Sequence, residues 1–545
     1  EHSGGFMNTL SEERLNNRIR SFKLKRGYMV TFATGLNGWG YSRCFIADKE
    51  DLEIAVLPTV FDGRISSYRV FQWYDAEKKG LASDTRQSAN DLLATSWCYD
   101  WAAGFSHLPD RECVPHQIYV AWPSASACGS ATYACHMKTN NEPGNSADDR
   151  PQDVATILDQ WQELMRTGLR LCSESSHDGS WAHLDEFIAE VDRRGWRCDI
   201  LDLHCYWASG FDNMQYYYDK YGKRPIWISE FVWGASWNNN GIFSTDRSFS
   251  QANQQKNLDA MKGIFNTLNN SPYVERYAYW NSEADCSKLL RGDSELSLTG
   301  KYFQTMQSGM AYRKEYEKVP NVVYTAPTEL TGTWSNQAAG AFKLSWKDTN
   351  GDMLNEIRVQ RKVEEGNFET VAVVALKDQS GKTLSYNYTD TITAAGVYEY
   401  RVVNVTADNK ERSSGVIKAA RSSLNGVAGL QYGEIIMVDG EEVKMNYTEG
   451  FSDTPGLFMG AITNNNSSMH LGNFISGSGT KNFSYTPMPW LTSTSTAFDK
   501  AEKIPFMAIE EGNFQFSNLD CERTPGSLRG DSRCEGILRH QVPQV

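Results

Sequence analysis

At 545 residues the chain is several times the size of a ~150-residue domain, so it must hold several folded units, with ample length for a large core. Its 54 Lys and Arg against 67 Asp and Glu give a net charge of -13, which repels nucleic-acid phosphates and anionic lipid surfaces alike and argues against nucleic acid as a partner. The longest apolar runs, such as Ile435 to Val438 and Val371 to Leu376, fall far short of the ~20 residues a spanning helix needs, so the chain is not expected to span a membrane.

The eleven cysteines include no C-x-x-C pair, which argues against a structural zinc site, and their odd number leaves at least one thiol free. Short disulfide loops are possible at Cys128 with Cys135 and at Cys521 with Cys534. No apolar leader precedes Glu1, which is uninformative because a processed exported chain would look the same, and a secreted or cell-surface location is the expectation.

In chain order, residues 1–63 form an N-terminal extension whose alternating stretches Tyr28 to Thr34 and Tyr41 to Ala47 predict a β-hairpin. Residues 64–317 then alternate short apolar runs with amphipathic helical stretches such as Asp153 to Thr167 and Trp181 to Arg194. Eight such runs are expected as strands: Ile65 to Trp73, Thr95 to Trp101, Gln117 to Trp122, Thr132 to Asn141, Gly168 to Ser173, Cys198 to Trp207, Pro225 to Phe231 and Arg276 to Asn281. Eight repeats over about 250 residues predict a (β/α)8 TIM barrel. Beyond Pro327 helical periodicity stops, and short strands with Gly and Asn turns predict two β-sandwiches, 322–420 and 424–520, before a polar tail, 521–545. The fold class is therefore multidomain, a TIM barrel followed by all-β sandwich domains.

Barrel enzymes carry their chemistry at the C-terminal ends of the strands, and two glutamates stand there. Strand four ends in Asn141-Glu142-Pro143, where Pro143 marks the exit into a loop, and strand seven is an apolar run ending in Glu230. Either glutamate alone reads equally well as a salt-bridged strand end. Together they suit glycosidic cleavage, in which one carboxyl protonates the departing oxygen and a second attacks the anomeric carbon. Twelve of the sixteen tryptophans fall in the barrel segment, and Trp73, Trp101, Trp122, Trp207 and Trp280 lie at or just past strand ends, where flat rings can pack on sugar C–H faces. Trp161, Trp181 and Trp196, in helical stretches, read as core. No clustering of histidines suggests a metal, so neither metal nor cofactor is expected.

Asn141-Glu142-Pro143, His204-Cys205-Tyr206-Trp207, Trp227-Ile228-Ser229-Glu230-Phe231 and Tyr277-Ala278-Tyr279-Trp280-Asn281 occur in this order, and with them the segment resembles the alkali-sensitive-linkage-like glycosyl hydrolase core, grouped with glycoside hydrolase family 128 among retaining barrel hydrolases. The resemblance implies that Glu142 is the acid/base and Glu230 the nucleophile of a two-glutamate double displacement. It implies that Asn141 binds the sugar 2-hydroxyl, that Tyr206 orients the nucleophile with His204 below it, and that Trp207 lines the cleft. The substrate it implies is a β-linked polysaccharide, foremost β-1,3-glucan cut internally, with carboxyl groups ~5–5.5 Å apart and a raised Glu142 pKa. The trailing Trp346 and Tyr398-Glu399-Tyr400-Arg401-Val402 resemble a fibronectin type III module, expected as a separately folded spacer, with the second sandwich as a possible glycan or surface contact.

Departures from the pattern are His136, Lys138 and Asn140 within strand four, Gly144 after the proline, Glu174 after strand five and Ser282-Glu283 after strand eight. Lys138, if it reached Glu142, would lower the pKa of that acid. These polar interruptions motivate the alternative of a non-catalytic carbohydrate-binding or adhesive surface protein with a degenerate barrel.

Overall fold

The computed structural model describes residues 4–10, 14–103, 108, 110–131, 133–148, 150–177, 181–206, 208–233, 246–281, 284–337, 339–377, 381–463, 465–466, 471–489 and 497–511. The expected tail, Trp207 and Trp490 lie outside these. The chain divides into two compact units, Glu1–Arg421 and Ser422–Val545.

The first unit begins with an antiparallel sheet. Tyr28–Ala33 pairs with Ser42–Ala47, as the hairpin expectation had it, but on its other edge it pairs with Ser67–Gln72, from Tyr28 opposite Gln72 to Ala33 opposite Ser67. The run read as the first barrel strand, Ile65 to Trp73, therefore belongs to the N-terminal sheet. Its alternation is that of a strand with one face on an aromatic core around Phe32, Phe45 and Phe61.

The strand that takes its place, β1 (Lys79–Ala82), is short and opens on a charge, which hid it from an apolar-run reading. That charge has a structural use. The Lys79 ammonium donates to the carbonyls of Phe303, Gln304 and Met306 at the end of helix α7 (Leu298–Thr305), and Lys78 donates to Leu268, Asn269 and Ser271 at the end of α6 (Gln251–Asn270). Each lysine thus satisfies the orphan carbonyls and negative dipole end of a helix. Glycine is required at the next position, Gly80, because a Cβ there would lie 2.4 Å from the Trp97 indole.

From β1 the parallel pairings run through β2 (Trp97–Tyr99), β3 (Glu112–Cys113 and His116–Gln117, split at Pro115), β4 (His136–Asn141) and β5 (Arg170–Ser175). Bridges Cys172–Ile200 and Ser176–Leu203 lead to β6 (Leu201–Cys205), and pairing continues through β7 (Ile226–Phe231) and β8 (Val274–Trp280) back to β1. The third expected strand is thus shifted: it ends at Gln117, and Trp122 lies in the loop beyond. Helices α1 (Gln87–Leu93), α2 (Ala125–Gly129) and α5 (Met214–Lys220) are short, whereas α3 (Val154–Arg166) and α4 (Trp181–Arg194) stand where periodicity placed them, each burying one apolar face, with Trp161 fully enclosed.

Charges fill the ring interior as well as aliphatics. Glu112 is paired with His136 and Arg276, Glu275 with Arg170, and Lys138 with Asp202. His136 and Lys138 of β4 are therefore paired members of buried networks, whereas the Asn140 side-chain oxygen is buried without a partner among the described residues. Cys128 and Cys135 are both buried and are not joined in the disulfide loop considered for them.

The first sandwich has antiparallel sheets of Thr328–Asn336, Ala341–Asp348 and Leu384–Thr391, and of Glu369–Val374, Leu354–Val363, Gly396–Thr406 and Glu411–Ser413, closed over Trp346, Tyr386 and Tyr400. It does not stand apart as expected: Met353 joins the core of the N-terminal sheet, and Asn17, Arg64 and Gln162 hydrogen-bond to Asp352, Asn355 and Gly381. The second unit stacks Ser423–Val427, Leu430–Asp439, Ala497–Ile509 and Gly456–Met459 against Val443–Asn446, Asn482–Pro489 and Leu471–Ser478, with Phe483 and Tyr485 in its core.

Candidate active site

At the C-terminal end of β4 the chain turns sharply. Asn140 and Glu142 both adopt left-handed backbone, with φ of 37° and 42°, a conformation that costs a non-glycine residue about 1 kcal/mol or more and tends to cluster at functional sites. The turn lifts the Glu142 carboxyl over the ring, where Asn145 Nδ2 donates to its Oε2 at 2.7 Å. On β7, Glu230 stands opposite His204 of β6 in the strand register.

The fully buried His204 joins the two glutamates. Its Nδ1 lies 2.7 Å from Glu142 Oε1 and 2.9 Å from Glu230 Oε2, and one oxygen of each carboxylate and one imidazole nitrogen all lie within 4.8 Å of one another. Burial pushes the imidazole down, but the charge on Glu230 and hydrogen bonds to both carboxylates raise its pKa to about 10. Burial pushes Glu142 up, and the His204 hydrogen bond and charge, with Asn145, outweigh it and hold it at about 2. The expectation of a raised Glu142 pKa is thus overturned. Lys138 is not the cause, since its ammonium is spent on Asp202 at 2.5 Å, Ser229 at 2.5 Å and Ser175 at 3.2 Å, above the Tyr99 ring.

Tyr206 hydrogen-bonds Glu230 and meets the Trp280 ring edge-on at 5.9 Å. Asn141 sits between Trp101, whose Nε1 donates to its Oδ1 at 3.4 Å, and Asp148. Trp101 and Trp280 therefore flank the carboxylates, while Trp122, 66% exposed, stands on the loop after β3. Trp73 does not join them. It donates to Asp48 and packs on His136, at the start of β4, and Tyr312, so it closes the opposite end of the ring.

Asn145 was missed from the sequence although it follows Glu142 by only three residues, because an asparagine in a Gly- and Ser-containing loop carries no periodic signal. The donor atoms of Glu142, His204 and Glu230 are close enough to surround a cation, as are those of Glu112, Cys135 and His136, where the Arg276 guanidinium already lies 2.8 Å from the carboxylate.

Two carboxylates at this separation over the C-terminal ends of parallel strands have the arrangement that glycosidic cleavage requires, and the protein is a glycoside hydrolase. Residues 76–303, which contain both glutamates and begin just before β1, match the family described as glycosyl hydrolase catalytic core. Among solved structures, the chain is similar to a family 128 (subgroup I) endo-β-1,3-glucanase from Amycolatopsis mediterranei in complex with laminaritriose, at 26% identity over 42% of this chain and 98% of that one, with a TM-score of 0.35. It is also similar to a family 128 (subgroup V) exo-β-1,3-glucanase from Cryptococcus neoformans, at 18% identity over 42% and 98%, with a TM-score of 0.34. No curated protein matches the chain.

Proposed function

We propose that the protein is a retaining glycoside hydrolase that cleaves β-1,3-glucan internally, through a (β/α)8 barrel in which Glu230 is the nucleophile and Glu142 the acid/base. The observation that carries this reading is the single imidazole nitrogen hydrogen-bonded to both carboxylates. Their separation within 4.8 Å suits direct attack, whereas inversion needs ~6.5–9.5 Å to seat a water between the carboxyls. The glucan preference rests on the four strand-end motifs and their resemblance to family 128.

In the free enzyme the cluster holds Glu142 ionised beside an imidazolium. Substrate expels water and lowers the local dielectric, which favours moving the proton along the 2.7 Å contact from His204 Nδ1 to Glu142, turning an ion pair into a neutral pair. Glu142 then gives this proton to the departing oxygen while a Glu230 oxygen bonds the anomeric carbon and the glycosidic C–O bond breaks. In the second half Glu142 takes a proton from water, the hydroxyl oxygen bonds the anomeric carbon, and Glu230 leaves as carboxylate. The renewed charge on Glu230 draws the proton back to His204. Tyr206 orients the nucleophile, Asn141 meets the 2-hydroxyl, and Trp101, Trp280 and Trp122 offer faces to sugar rings. The chemistry needs no cofactor. A polymer substrate that cannot cross a membrane fits a secreted or surface enzyme, with residues 322–420 as a fibronectin type III-like support and 424–520 as a glycan or surface contact.

The test is release of reducing ends from a panel of β-glucans, with the anomer formed first identified by NMR. Retained configuration from β-1,3-glucan, abolished in Glu230→Gln, supports the proposal. Binding without turnover across the panel overturns it in favour of a purely carbohydrate-binding role.

A further inference from the structure

Gln152 lies in the loop between β4 and α3 and touches neither carboxylate, yet three loops meet on it. Its backbone N–H donates to the carbonyl of Pro143 at 2.9 Å, the residue after Glu142. Its Oε1 accepts from the backbone N–H of Val120 at 2.8 Å, in the loop after β3 that carries Trp122. Its own carbonyl lies 2.7 Å from His183 Nε2 on α4, and His183 Nδ1 is 2.6 Å from Glu174 Oε1 at the end of β5. The next residue, Asp153, caps α3 by accepting from Thr156 N–H at 2.7 Å, which fixes the start of the helix behind the knot.

The turns joined in this way have bonds of their own, Tyr119 and Trp122 exchanging two backbone hydrogen bonds around Ala121, but they also hold residues in unfavourable backbone. Asn140, Glu142 and Ala121 all have left-handed backbone, which relaxes toward extended geometry unless outside contacts oppose it. Within its own turn, Glu142 has the Asn145 N–H bond to its carbonyl; Gln152 supplies the tie to Pro143 from across the loop. The amide nitrogen of Gln152 is buried without a partner among the described residues, so the side chain is used for its acceptor oxygen.

We infer that Gln152 is a positioning residue that sets the Glu142 carboxyl against the leaving-group oxygen and couples that turn to the Trp122 loop. The inference rests on Glu142 being the acid/base. A carboxyl displaced by a fraction of an ångström protonates a departing alkoxide less well, and misplacement by ~1 Å costs up to ~10²-fold. A leaving group that needs no proton is indifferent to the shift.

The experiment compares kcat/KM of the full chain on soluble β-1,3-glucan with kcat/KM on a dinitrophenyl β-glycoside of a β-1,3-linked glucose oligosaccharide. Gln152→Met keeps the shape and removes the acceptor; Gln152→Glu keeps the acceptor. Gln152→Met should lose about tenfold on the glucan and remain within about twofold on the activated glycoside, and Gln152→Glu should restore most of the glucan activity. Val120→Pro carries the test independently if Gln152→Met does not fold. It deletes the N–H that Gln152 accepts, at a turn position that tolerates proline when the following residue, Ala121, has positive φ. Equal losses on both substrates, or none on either, would overturn the inference. Glu142→Ala is run alongside. If it lacks the leaving-group signature, the acid/base assignment itself fails; if it shows the signature and Gln152→Met and Val120→Pro do not, only the role of Gln152 fails.

Discussion

Replacing His204 by phenylalanine removes the one cation shared by Glu142 and Glu230 while keeping a ring of similar volume. Two carboxylates within 4.8 Å then face each other directly. At an effective dielectric of ~20 their repulsion is about 3.5 kcal/mol, or about 2.5 pK units, so one of them keeps its proton to near neutrality. In the native protein the His204 pKa stands at about 10, above its unfolded value. The stability it contributes is therefore complete below about pH 6.5 and lost as pH rises through about 10. Glu142, depressed to about 2, contributes above its unfolded pKa of about 4.5 and loses that contribution as pH falls through about 2. These are two faces of one interaction and do not add. His204→Phe should lose about 3–5 kcal/mol at pH 6, as expected for a buried pair left with one partner missing. Its alkaline limb of kcat/KM should move from near pH 10 to near neutrality, because the catalytic proton now has only a carboxyl to hold it. Denaturant unfolding at pH 4, 6 and 9 and brief initial-rate assays over the same range read both effects. An unchanged alkaline limb, with a stability loss below about 1 kcal/mol at every pH, would show that His204 merely packs and that no proton is shared.

Other expectations are more direct. Glu230→Gln should lower kcat at least ~10³-fold with the fold intact by circular dichroism, since an amide cannot replace the carboxylate that attacks the anomeric carbon. Trp122→Ala should raise KM for long glucans several-fold and leave cleavage of the shortest cleavable oligosaccharide nearly unchanged, a contrast that steady-state kinetics on a chain-length series checks. Removing residues 422–545 should leave the hydrolysis of soluble oligosaccharide within about twofold, because both glutamates and their partners belong to the first compact unit; a truncation that fails to fold would refute this. Treatment with a chelator should leave the rate unchanged, and loss of activity with an intact fold would reassign the Glu142, His204 and Glu230 cluster to a metal.

The sequence alone was enough to read the strand-and-helix alternation, the two glutamates at strand ends and the all-β character beyond Pro327, because each is written in local periodicity or in a residue type costly to bury. Val154–Arg166 and Trp181–Arg194 show their buried faces in their spacing, and Glu230 closes an otherwise apolar strand. Only the tertiary structure decided that Ser67–Gln72 joins the N-terminal sheet and that Lys79–Ala82 opens the ring, since strand pairing depends on partners far away in sequence and a lysine's burial depends on helix ends more than 180 residues on. The same holds for the site. That Lys138 serves Asp202 rather than Glu142, that Trp73 lies at the wrong end, and that His204 lowers the pKa of Glu142 where burial alone would have raised it are all settled by which charge lies within hydrogen-bonding distance of which. Electrostatic free energy falls off with distance in space, and distance along the chain carries almost none of that information.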